Sequence, residues 1–137
     1  MGRTHVHRIR VRYAECDLQG HVFNANYFAY FDIALTELWR AAAGGYQEML
    51  DGGLDLVVVE ATARFKAPAR FDDELELEVT VSHLGTTSMR TDLRILRDGD
   101  LLVEGQMVHV FIEKGTMAKA PIPPAIRAAL AGSAAAA

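Results

Sequence analysis

Apolar and polar residues alternate in the segment HVHRIRVRY, residues 5–13. Ile9, Val11 and Tyr13 would lie on one face of an extended chain, and arginine side chains would lie on the other. A period of two is typical of a strand with one buried face. The pattern therefore predicts a half-buried β-strand at the start of the chain.

A different pattern, without glycine or proline, covers residues 26–43 and predicts a long α-helix. Its large apolar side chains cover most of the helical circumference; they are Tyr27, Phe28, Tyr30, Phe31, Ile33, Leu35, Leu38 and Trp39. Only Asp32, Thr36 and Arg40, spaced four apart, form a polar stripe, and Glu37 lies beside it as a partner for Arg40. A helix that is apolar nearly all round is expected to be buried nearly all round, which a curved sheet wrapped around it would achieve.

The remainder of the chain is predicted to be mainly strand. Residues 44–53 contain two glycine pairs and predict a mobile connection with one short turn of helix around Glu48. Four strands are predicted after it, at residues 55–66, 74–81, 88–96 and 101–113. Alternation directs one set of side chains inward, namely Leu75, Leu77, Val79 and Val81. In the next strand it places a second set together on one face, namely Met89, Thr91, Leu93 and Ile95. Asp98 and Gly99 are a strong signal for a hairpin between the last two strands.

This order of elements, one strand, one long helix and four more strands, indicates an α+β fold. We expect a five-stranded antiparallel sheet wrapped around one long central helix. The other face of the sheet, which bears Arg and Glu, would be solvated or would meet another subunit, and a second copy could close an exposed sheet edge. Residues 1–124 form a single domain in this interpretation, and residues 125–137 add a short helix and an Ala-rich tail.

Composition and charge narrow the classes of partner. The chain has 137 residues, enough for one domain with its own core, and a formal net charge of −4 with dispersed basic residues, which argues against nucleic-acid binding. Its apolar runs are too short to span a membrane, and the first ten residues lack the apolar segment of a signal peptide. Cys16 is the only cysteine, which excludes an internal disulfide and suits a reducing cytoplasm. We therefore expect a cytoplasmic protein without a nucleic-acid or membrane partner.

Side chains capable of chemistry cluster where the predicted helix begins; they are Glu15, Asp17, His21, Asn24 and Asn26. The backbone N–H groups of a helix's first turn lack intrahelical partners and suit an anion, or an oxygen that becomes one. A carboxylate beside such groups is half of an acyl-transfer site. The alternative is that Asp17 and Asn24 only cap the helix.

The strand pattern also makes a prediction about direction. If the period of two continues past residue 13, Glu15 and Asp17 lie on the buried side and Cys16 points away from them. Cys16 is therefore not expected to be a nucleophile in the same site as Asp17. Glu15 could support Asp17, but an exposed carboxylate at the end of the strand is the favoured interpretation.

Two segments carry a resemblance to a known family. The stretch VRYAECDLQGHVFNANYFAYFD resembles the signature Y-x-x-x-D-x-x-G-H-[VM]-x-x-x-x-Y of the 4-hydroxybenzoyl-CoA thioesterase branch of the hotdog acyl-CoA thioesterases. About fifty residues later, ARFKAPARFDDELELEV resembles the family's segment P-A-x-x-D-D-x-L, which links the second and third strands. The resemblance covers about residues 5–124. With the matching order of elements, the chain is identified as a member of that family.

The resemblance implies a hotdog fold, a homodimer that can pair further as a dimer of dimers, and an active site at the dimer interface. It implies hydrolysis of a coenzyme A thioester, without a cofactor, with Asp17 as the catalytic carboxylate. Asp17 could attack the carbonyl directly or activate water, and the sequence leaves both routes open. In the family, backbone N–H groups at the start of the helix hold the thioester oxygen, and this position falls near Asn24. Gly20 and His21 complete the predicted site; His21 could orient the substrate or donate to its carbonyl oxygen, or could tie the loop by hydrogen bonds.

Substrate binding is expected to involve basic and aromatic residues. Coenzyme A carries several phosphate charges, so a basic cluster is expected at the mouth of the pocket. The candidates, of which one or two are expected to be real contacts, are Arg64, Arg90, Lys114 and Lys119. Tyr27, at the start of the helix, is also predicted to contact the substrate. A metal site is not expected, since Asp17 and His21 lack further ligands at workable spacing.

Three other functions remain open at this point. A hotdog dehydratase or hydratase would carry its carboxylate on the long helix, where Glu37 is the available residue, without a suitable histidine. A thioesterase that acts on carrier-protein-bound acyl groups would use the same site as a coenzyme A thioesterase. A catalytically weak acyl-binding dimer is the third, and the ionisable Asp17 argues against it.

Overall fold

A computed structural model describes residues 2–43 and 46–132 of the chain. Its strands are β1 (Thr4–Arg10), β2 (Leu54–Phe65), β3 (Glu74–Leu84), β4 (Ser88–Arg97) and β5 (Asp100–Glu113). Its helices are α1 (Asn26–Ala43), α2 (Tyr46–Asp51) and α3 (Pro124–Ala131), and a short 3₁₀ turn covers Tyr13–Glu15. The predicted order of one strand, one long helix and four strands is confirmed. The short helix predicted around Glu48 is α2, and part of the predicted connection, residues 44–45, lies outside the described residues.

All neighbouring strands are antiparallel, in the order β1-β3-β4-β5-β2. β2 therefore pairs with β5 at one edge and is separated from β3, its successor in the chain, by the two strands β5 and β4. The segment between them, residues 66–73, crosses the distance from β2 to β3. Most of the second sequence motif lies in this segment, so the motif forms the connection between two strands that are not neighbours in the sheet.

α1 packs against one face of the sheet, and together they form the core. The inward direction predicted for alternate residues of β3 and the shared face predicted for alternate residues of β4 are confirmed, because the eight side chains named above are all buried. Gly105, in the middle of β5, makes this packing possible. A Cβ atom there would lie 2.8 Å from the ring of Phe31 on α1 and 2.3 Å from the carbonyl oxygen of Thr62. The long helix and the five-stranded sheet form the expected hotdog fold.

The first strand is shorter than its alternating pattern predicts. β1 ends at Arg10, and the chain then curls into the 3₁₀ turn, because the Glu15 carboxylate accepts hydrogen bonds from the backbone N–H and the guanidinium of Arg12. Val11 is buried as predicted, but the inward direction predicted for Tyr13 is wrong, since Tyr13 is 80% exposed. The prediction that the period of two continues through Glu15 is also wrong, because β1 has already ended at Arg10.

One side of α1 stays uncovered in the single chain. The predicted bounds of the helix are confirmed, and the stripe formed by Asp32, Thr36 and Arg40 is exposed. The ion pair between Glu37 and Arg40 is confirmed. Phe28 is 37% exposed beside the stripe. The prediction of a helix buried nearly all round is therefore not met by one chain alone.

The described C-terminal residues pack against the rest of the domain. α3 buries Leu130 completely, and the backbone N–H of Arg3 donates to the Leu130 carbonyl oxygen at 2.8 Å. The short helix predicted after Pro124 is confirmed, and the Ala-rich end of the tail, residues 133–137, lies outside the described residues. Among the helices in the described ranges, none is long and apolar enough to cross a membrane.

Candidate active site

Asp17 lies in a tight loop between β1 and α1. Its backbone N–H donates to the carbonyl oxygen of His21 at 2.8 Å, and its own carbonyl oxygen accepts from Gly20 at 3.0 Å. Gly20 has a φ of +79°, a conformation that side chains disfavour, so glycine suits this position. The carboxylate oxygen Oδ1 of Asp17 accepts a hydrogen bond from the backbone N–H of Gln19 at 2.9 Å. The other oxygen, Oδ2, has no hydrogen-bond partner within residues 2–43 and 46–132 and remains available to a ligand.

The loop is held against the start of α1 and against the crossing segment. The backbone N–H of Val22 donates to the carbonyl oxygen of Ala69 at 2.9 Å. In return, the backbone N–H of Ala69 donates to the hydroxyl oxygen of Tyr27 at 3.0 Å. His21 also forms an isolated β-bridge with Arg70. These contacts bring the two sequence motifs together.

Asp73, the second aspartate of the second motif, fixes the conformation of the crossing segment. Asp73 Oδ2 accepts hydrogen bonds from the backbone N–H of Arg70 at 2.9 Å and from the guanidinium of Arg97 at 2.7 Å. The same guanidinium donates to the carbonyl oxygen of Pro68 at 3.2 Å. Burial acts to raise the pKa of Asp73, but the hydrogen bonds from Arg70 and Arg97 outweigh it and hold the pKa below its usual value. Asp73 is therefore a charged structural anchor for the wall of the site.

A pocket of about 240 Å³ brings predicted site residues together. Its lining includes four of them, Asp17, His21, Asn24 and Tyr27. The remaining lining residues are Gln19, Val22, Phe65, Lys66, Ala67 and Pro68. Gly20 does not line this pocket but shapes the loop that presents Asp17. The structure thus places a carboxylate, an imidazole, an amide and a phenol around one opening.

The start of α1 contributes unpaired backbone donors to this region. The helix begins at Asn26, whose N–H donates to the Phe23 carbonyl oxygen at 2.8 Å, and the next N–H, of Tyr27, donates to the Asn24 carbonyl oxygen at 3.3 Å. The N–H groups of Asn24 and Ala25 have no acceptor in the part of the chain that the structure describes. Such donors at the positive end of an 18-residue helix suit an oxygen that gains negative charge. Asp17 bonds within its own loop and does not cap the helix.

The side chains of His21 and Tyr27 differ in whether they already form a hydrogen bond with another residue of the described chain. The ring of His21 is partly buried and forms no hydrogen bond with any residue in the described ranges, so it is not the side chain that ties the loop. Tyr27 is 2% exposed, and its hydroxyl oxygen already accepts the N–H of Ala69. Burial raises the pKa of Tyr27, which keeps its hydroxyl proton in place as a possible donor.

The prediction for Glu15, which lies two residues before Asp17, is wrong. The side chain is 15% exposed rather than an exposed carboxylate at a strand end, and its Oε1 accepts a hydrogen bond from the hydroxyl of Tyr30 at 2.8 Å. Burial acts to raise the pKa of Glu15, but hydrogen bonds from Arg12 and Tyr30 outweigh it and lower the pKa. The spacing of Arg12 and Glu15, three residues apart, is the one sequence signal that could have indicated this turn.

The argument from strand direction about Cys16 is also wrong, because the strand has ended before it. Cys16 is partly buried against the core and does not line the pocket that Asp17 shares with Asn24, but it lines a second depression together with Asp17 and Gly20. Burial, and then the charges of Glu15 and Asp17, raise the pKa of the Cys16 thiol. A thiol that stays protonated is a weak nucleophile, so this physical reason replaces the directional one.

The four basic candidates for coenzyme A binding, Arg64, Arg90, Lys114 and Lys119, do not line the pocket that contains Asp17. Lys114 follows the residue of β5 that pairs with the first residue of β2, whereas Phe65, which lines the pocket, is the last residue of β2. β2 spans 12 residues at about 3.3 Å each, so Lys114 and Phe65 of the same chain lie at opposite ends of this strand, roughly 35 Å apart as measured along it. Lys66, which the sequence reasoning missed, does line the pocket and forms an ion pair with Glu104 at 3.4 Å.

In the described parts of the chain, no group of three or more His, Cys, Asp or Glu is arranged to hold a metal ion.

Comparisons with known proteins show the family to which the chain belongs. The profile of the thioesterase-like superfamily matches residues 11–130. The acyl-CoA thioester hydrolase YbgC of Escherichia coli O6:H1 is 31% identical over 119 residues, which cover 86% of this chain and 89% of that protein. A crystal structure of a hypothetical protein from Thermus thermophilus is similar with a TM-score of 0.86 at 33% identity, covering 93% of this chain and 95% of the other. The structure of a gentisyl-coenzyme A thioesterase is similar with a TM-score of 0.83 at 27% identity, covering 93% and 99%. The chain therefore belongs to the thioesterase-like superfamily.

Proposed function

We propose that this protein hydrolyses an acyl-coenzyme A thioester to the free acid and coenzyme A. The observation that carries the proposal is the pocket that Asp17 and Asn24 share. Asp17 has one carboxylate oxygen available, and the backbone N–H groups of Asn24 and Ala25 lack acceptors within the described ranges. The family adds support, since YbgC is named an acyl-CoA thioester hydrolase and one structural neighbour a gentisyl-coenzyme A thioesterase.

The proposed chemistry uses water as its only co-reactant, and no resident cofactor is expected. Asp17 either activates a water molecule, whose oxygen attacks the thioester carbonyl, or attacks the carbonyl itself to form a mixed anhydride that water then hydrolyses. In both routes the carbon–sulfur bond breaks, coenzyme A leaves as the thiol and the acyl group leaves as the acid. The negative charge that develops on the carbonyl oxygen would be held by the N–H groups near Asn24. Preorganised donors of this kind are each worth on the order of 3 kcal/mol of transition-state stabilisation.

The site residues have separate proposed roles. Gly20 permits the turn that presents Asp17, and His21 orients the substrate or donates to its carbonyl oxygen, since its ring has no partner in the described chain. Tyr27 lines the pocket where the acyl or pantetheine portion would lie. The dehydratase alternative is weaker, because the Glu37 carboxylate on α1 is paired with Arg40.

The test is turnover of a panel of acyl-coenzyme A substrates, followed by release of free thiol, with wild-type protein and with Asp17→Asn. This substitution removes the anionic group and keeps the shape, so thiol release should fall by more than about 100-fold while the circular dichroism spectrum and melting temperature stay the same. Asp100→Asn, at an exposed position in the β4–β5 hairpin, is the matched control and should keep full activity. Turnover by Asp17→Asn within a few-fold of wild type would contradict the catalytic assignment.

A further inference from the structure

Glu15 occupies an unusual position between the two halves of the candidate site. Its carboxylate accepts four hydrogen bonds: Oε1 from the Arg12 backbone N–H at 2.9 Å and the Tyr30 hydroxyl at 2.8 Å, and Oε2 from the Arg12 guanidinium at 3.2 and 3.0 Å. Arg12 belongs to the chain before the Asp17 loop, whereas Tyr30 is a fully buried residue of α1. The side chain of Glu15 therefore joins the loop to the helix.

The backbone of the same residue makes a second connection. The carbonyl oxygen of Glu15 accepts hydrogen bonds from the backbone N–H of Phe23 and from the side-chain amide of Asn26, each at 2.9 Å. Phe23 and Asn26 flank the two residues whose N–H groups lack acceptors in the described chain, Asn24 and Ala25. The two N–H groups proposed to hold the oxyanion therefore lie between two residues that both donate a hydrogen bond to the carbonyl oxygen of Glu15. Asp17 follows Glu15 by only two residues.

We propose that Glu15 is a positioning residue that fixes the distance between the Asp17 carboxylate and the backbone N–H donors at the start of α1. The inference rests on the proposed function for its kinetic consequence, but its structural part stands independently. Glu15 does not line the pocket and is not expected to touch substrate. It acts through the geometry of two groups that must meet the same carbonyl group, where a misplacement of about 1 Å costs on the order of 100-fold in rate.

The charge of Glu15 matters for this role because all of its partners are donors. Burial and the hydrogen bond to Glu15 raise the pKa of Tyr30, so its hydroxyl keeps the proton that it donates. A glutamine at position 15 could still accept from Tyr30 and from the Arg12 backbone, but its NH₂ group would face the donors of the Arg12 guanidinium. Glu15→Gln therefore loosens the link without opening a cavity.

The chain offers a matched control in Glu37. Glu37 also pairs with an arginine three residues away, Arg40, and its side chain is 18% exposed, close to the 15% of Glu15. It does not line the pocket that contains Asp17. Glu37→Gln therefore removes a comparable ion pair without touching the connection between loop and helix.

The first measurement is structural and needs no substrate. In ¹H–¹⁵N spectra, Glu15→Gln and Tyr30→Phe should displace or broaden the backbone amide signals of Asn24 and Ala25, whereas Glu37→Gln should leave them unchanged. If the Glu15→Gln protein does not fold, Tyr30→Phe still tests the link, because it removes one hydroxyl and keeps the ring in the core. Unmoved amide signals in both site variants would overturn the inference, whatever the activity.

The second measurement is kinetic. Glu15→Gln should lower kcat by about 10- to 100-fold with KM within about twofold of wild type, because geometry is lost mainly in the transition state. Tyr30→Phe, which removes the side-chain hydrogen bond between Glu15 and α1, should lower kcat by a similar factor, and the double variant should be no worse than the more damaging single variant, since both act through one link. An active wild type with unchanged kcat in Glu15→Gln would overturn the inference and leave the proposed function intact. A wild type inactive on every coenzyme A thioester would instead refute the proposed function, and the amide signals would then decide whether Glu15 positions the loop.

Discussion

The hydroxyl of Tyr27 supports the pocket wall as well as lining the pocket. It accepts the backbone N–H of Ala69, a residue with 0% exposure, at 3.0 Å. The ring of Tyr27 also packs against Tyr30 and Phe65, with centroids 6.0 and 5.4 Å away. Removing the hydroxyl would keep these ring contacts and leave the buried N–H of Ala69 without its acceptor.

Tyr27→Phe should therefore lower the free energy of unfolding by about 1–3 kcal/mol, the cost of an unsatisfied buried donor. Urea unfolding followed by circular dichroism measures the change. Tyr13→Phe is the control, because Tyr13 is 80% exposed, and its effect should stay within about 0.5 kcal/mol. Equal stabilities for the two variants would show that the bond from Ala69 contributes nothing to stability.

At the scale of single residues, the motifs indicated the pocket but not its supports. Asp17, His21, Asn24 and Tyr27 share one pocket, and their fixed spacing around a helix start was visible in the sequence. Lys66 was not found, because its place in the lining depends on where β2 lies in the sheet. That placement is a long-range property that no local pattern encodes.

At the scale of elements, local signals succeeded where one element determines its own bounds. α1 was predicted at residues 26–43 and occupies Asn26–Ala43, because an uninterrupted apolar run followed by glycine defines a helix without help from the rest of the chain. The hairpin at Asp98 and Gly99 was predicted for a similar reason, and both residues have positive φ angles. β1 was predicted too long, because the capping of Arg12 by Glu15 ended the strand while the alternating pattern continued. The edge position of β2 was not predicted, since strand pairing depends on distant partners.

β5 contains a buried group that should make stability depend on pH. His109 is 3% exposed, its Nδ1 has no hydrogen-bond partner in the described structure, and burial lowers its pKa from 6.5 to about 4. Between these two pH values the unfolded chain binds a proton at this position and the folded chain does not. Stability should therefore decrease as pH falls from about 6.5 towards 4, by up to roughly 3 kcal/mol from this histidine.

His109→Leu should flatten the stability profile within that window. The free energy of unfolding is measured by urea denaturation at pH 6.5, 5.5 and 5.0. The paired carboxylates Asp73 and Glu15 have lowered pKa values, so their contributions are lost at more acidic pH and interfere little above pH about 5. His83→Leu, which replaces an exposed histidine at the end of β3, is the control and should keep the wild-type slope. The prediction fails if His109→Leu keeps that slope as well.

At the scale of the whole molecule, the uncovered surfaces favour a second copy. β2 is an edge strand of 12 residues, and Val58 and Val59 on it are 51% and 58% exposed. Val58 lines a pocket of about 300 Å³ together with Asp32 and Thr36 of the exposed stripe of α1. An apolar edge next to an uncovered helix side is what a partner subunit would cover. We predict a dimer through this surface, with activity only in the dimer.

Sedimentation at micromolar concentration should show a dimer for the wild type. Val58→Lys should shift the protein towards monomer and reduce thiol release, because a charge would have to be buried in the contact. Val6→Lys, on the opposite edge strand β1 and with 46% exposure for the native valine, is the matched control and should leave the dimer intact. A stable wild-type monomer with full activity would refute a site formed at the interface.

Recognition of coenzyme A also belongs to the whole molecule. Lys114 and the neighbouring Lys119 lie far along the sheet from Phe65 in their own chain, so either could meet the nucleotide only where another subunit brings it close. Arg64 and Arg90 are exposed on strands β2 and β4 and could meet it from the sheet. Whichever of these residues contact the phosphates, the contacts would be exposed ion pairs, which salt screens over roughly 8–10 Å at physiological ionic strength.

Thiol release from a coenzyme A thioester should therefore weaken with added salt more than release from a pantetheine thioester of the same acyl group. The shorter substrate keeps the thioester and the pantetheine arm but lacks the phosphates of the nucleotide. The loss should appear mainly in KM, because contacts remote from the reacting carbon are equal in the ground and transition states. Charge removal at Arg90 or Lys119 should reduce the salt dependence of the full substrate, and the same substitutions should not change the kinetics of the short one.

Identical salt dependence for both substrates would mean that no basic cluster recognises the nucleotide. That result would favour a carrier-protein thioester as the substrate, because its prosthetic arm presents the same pantetheine group without the free nucleotide.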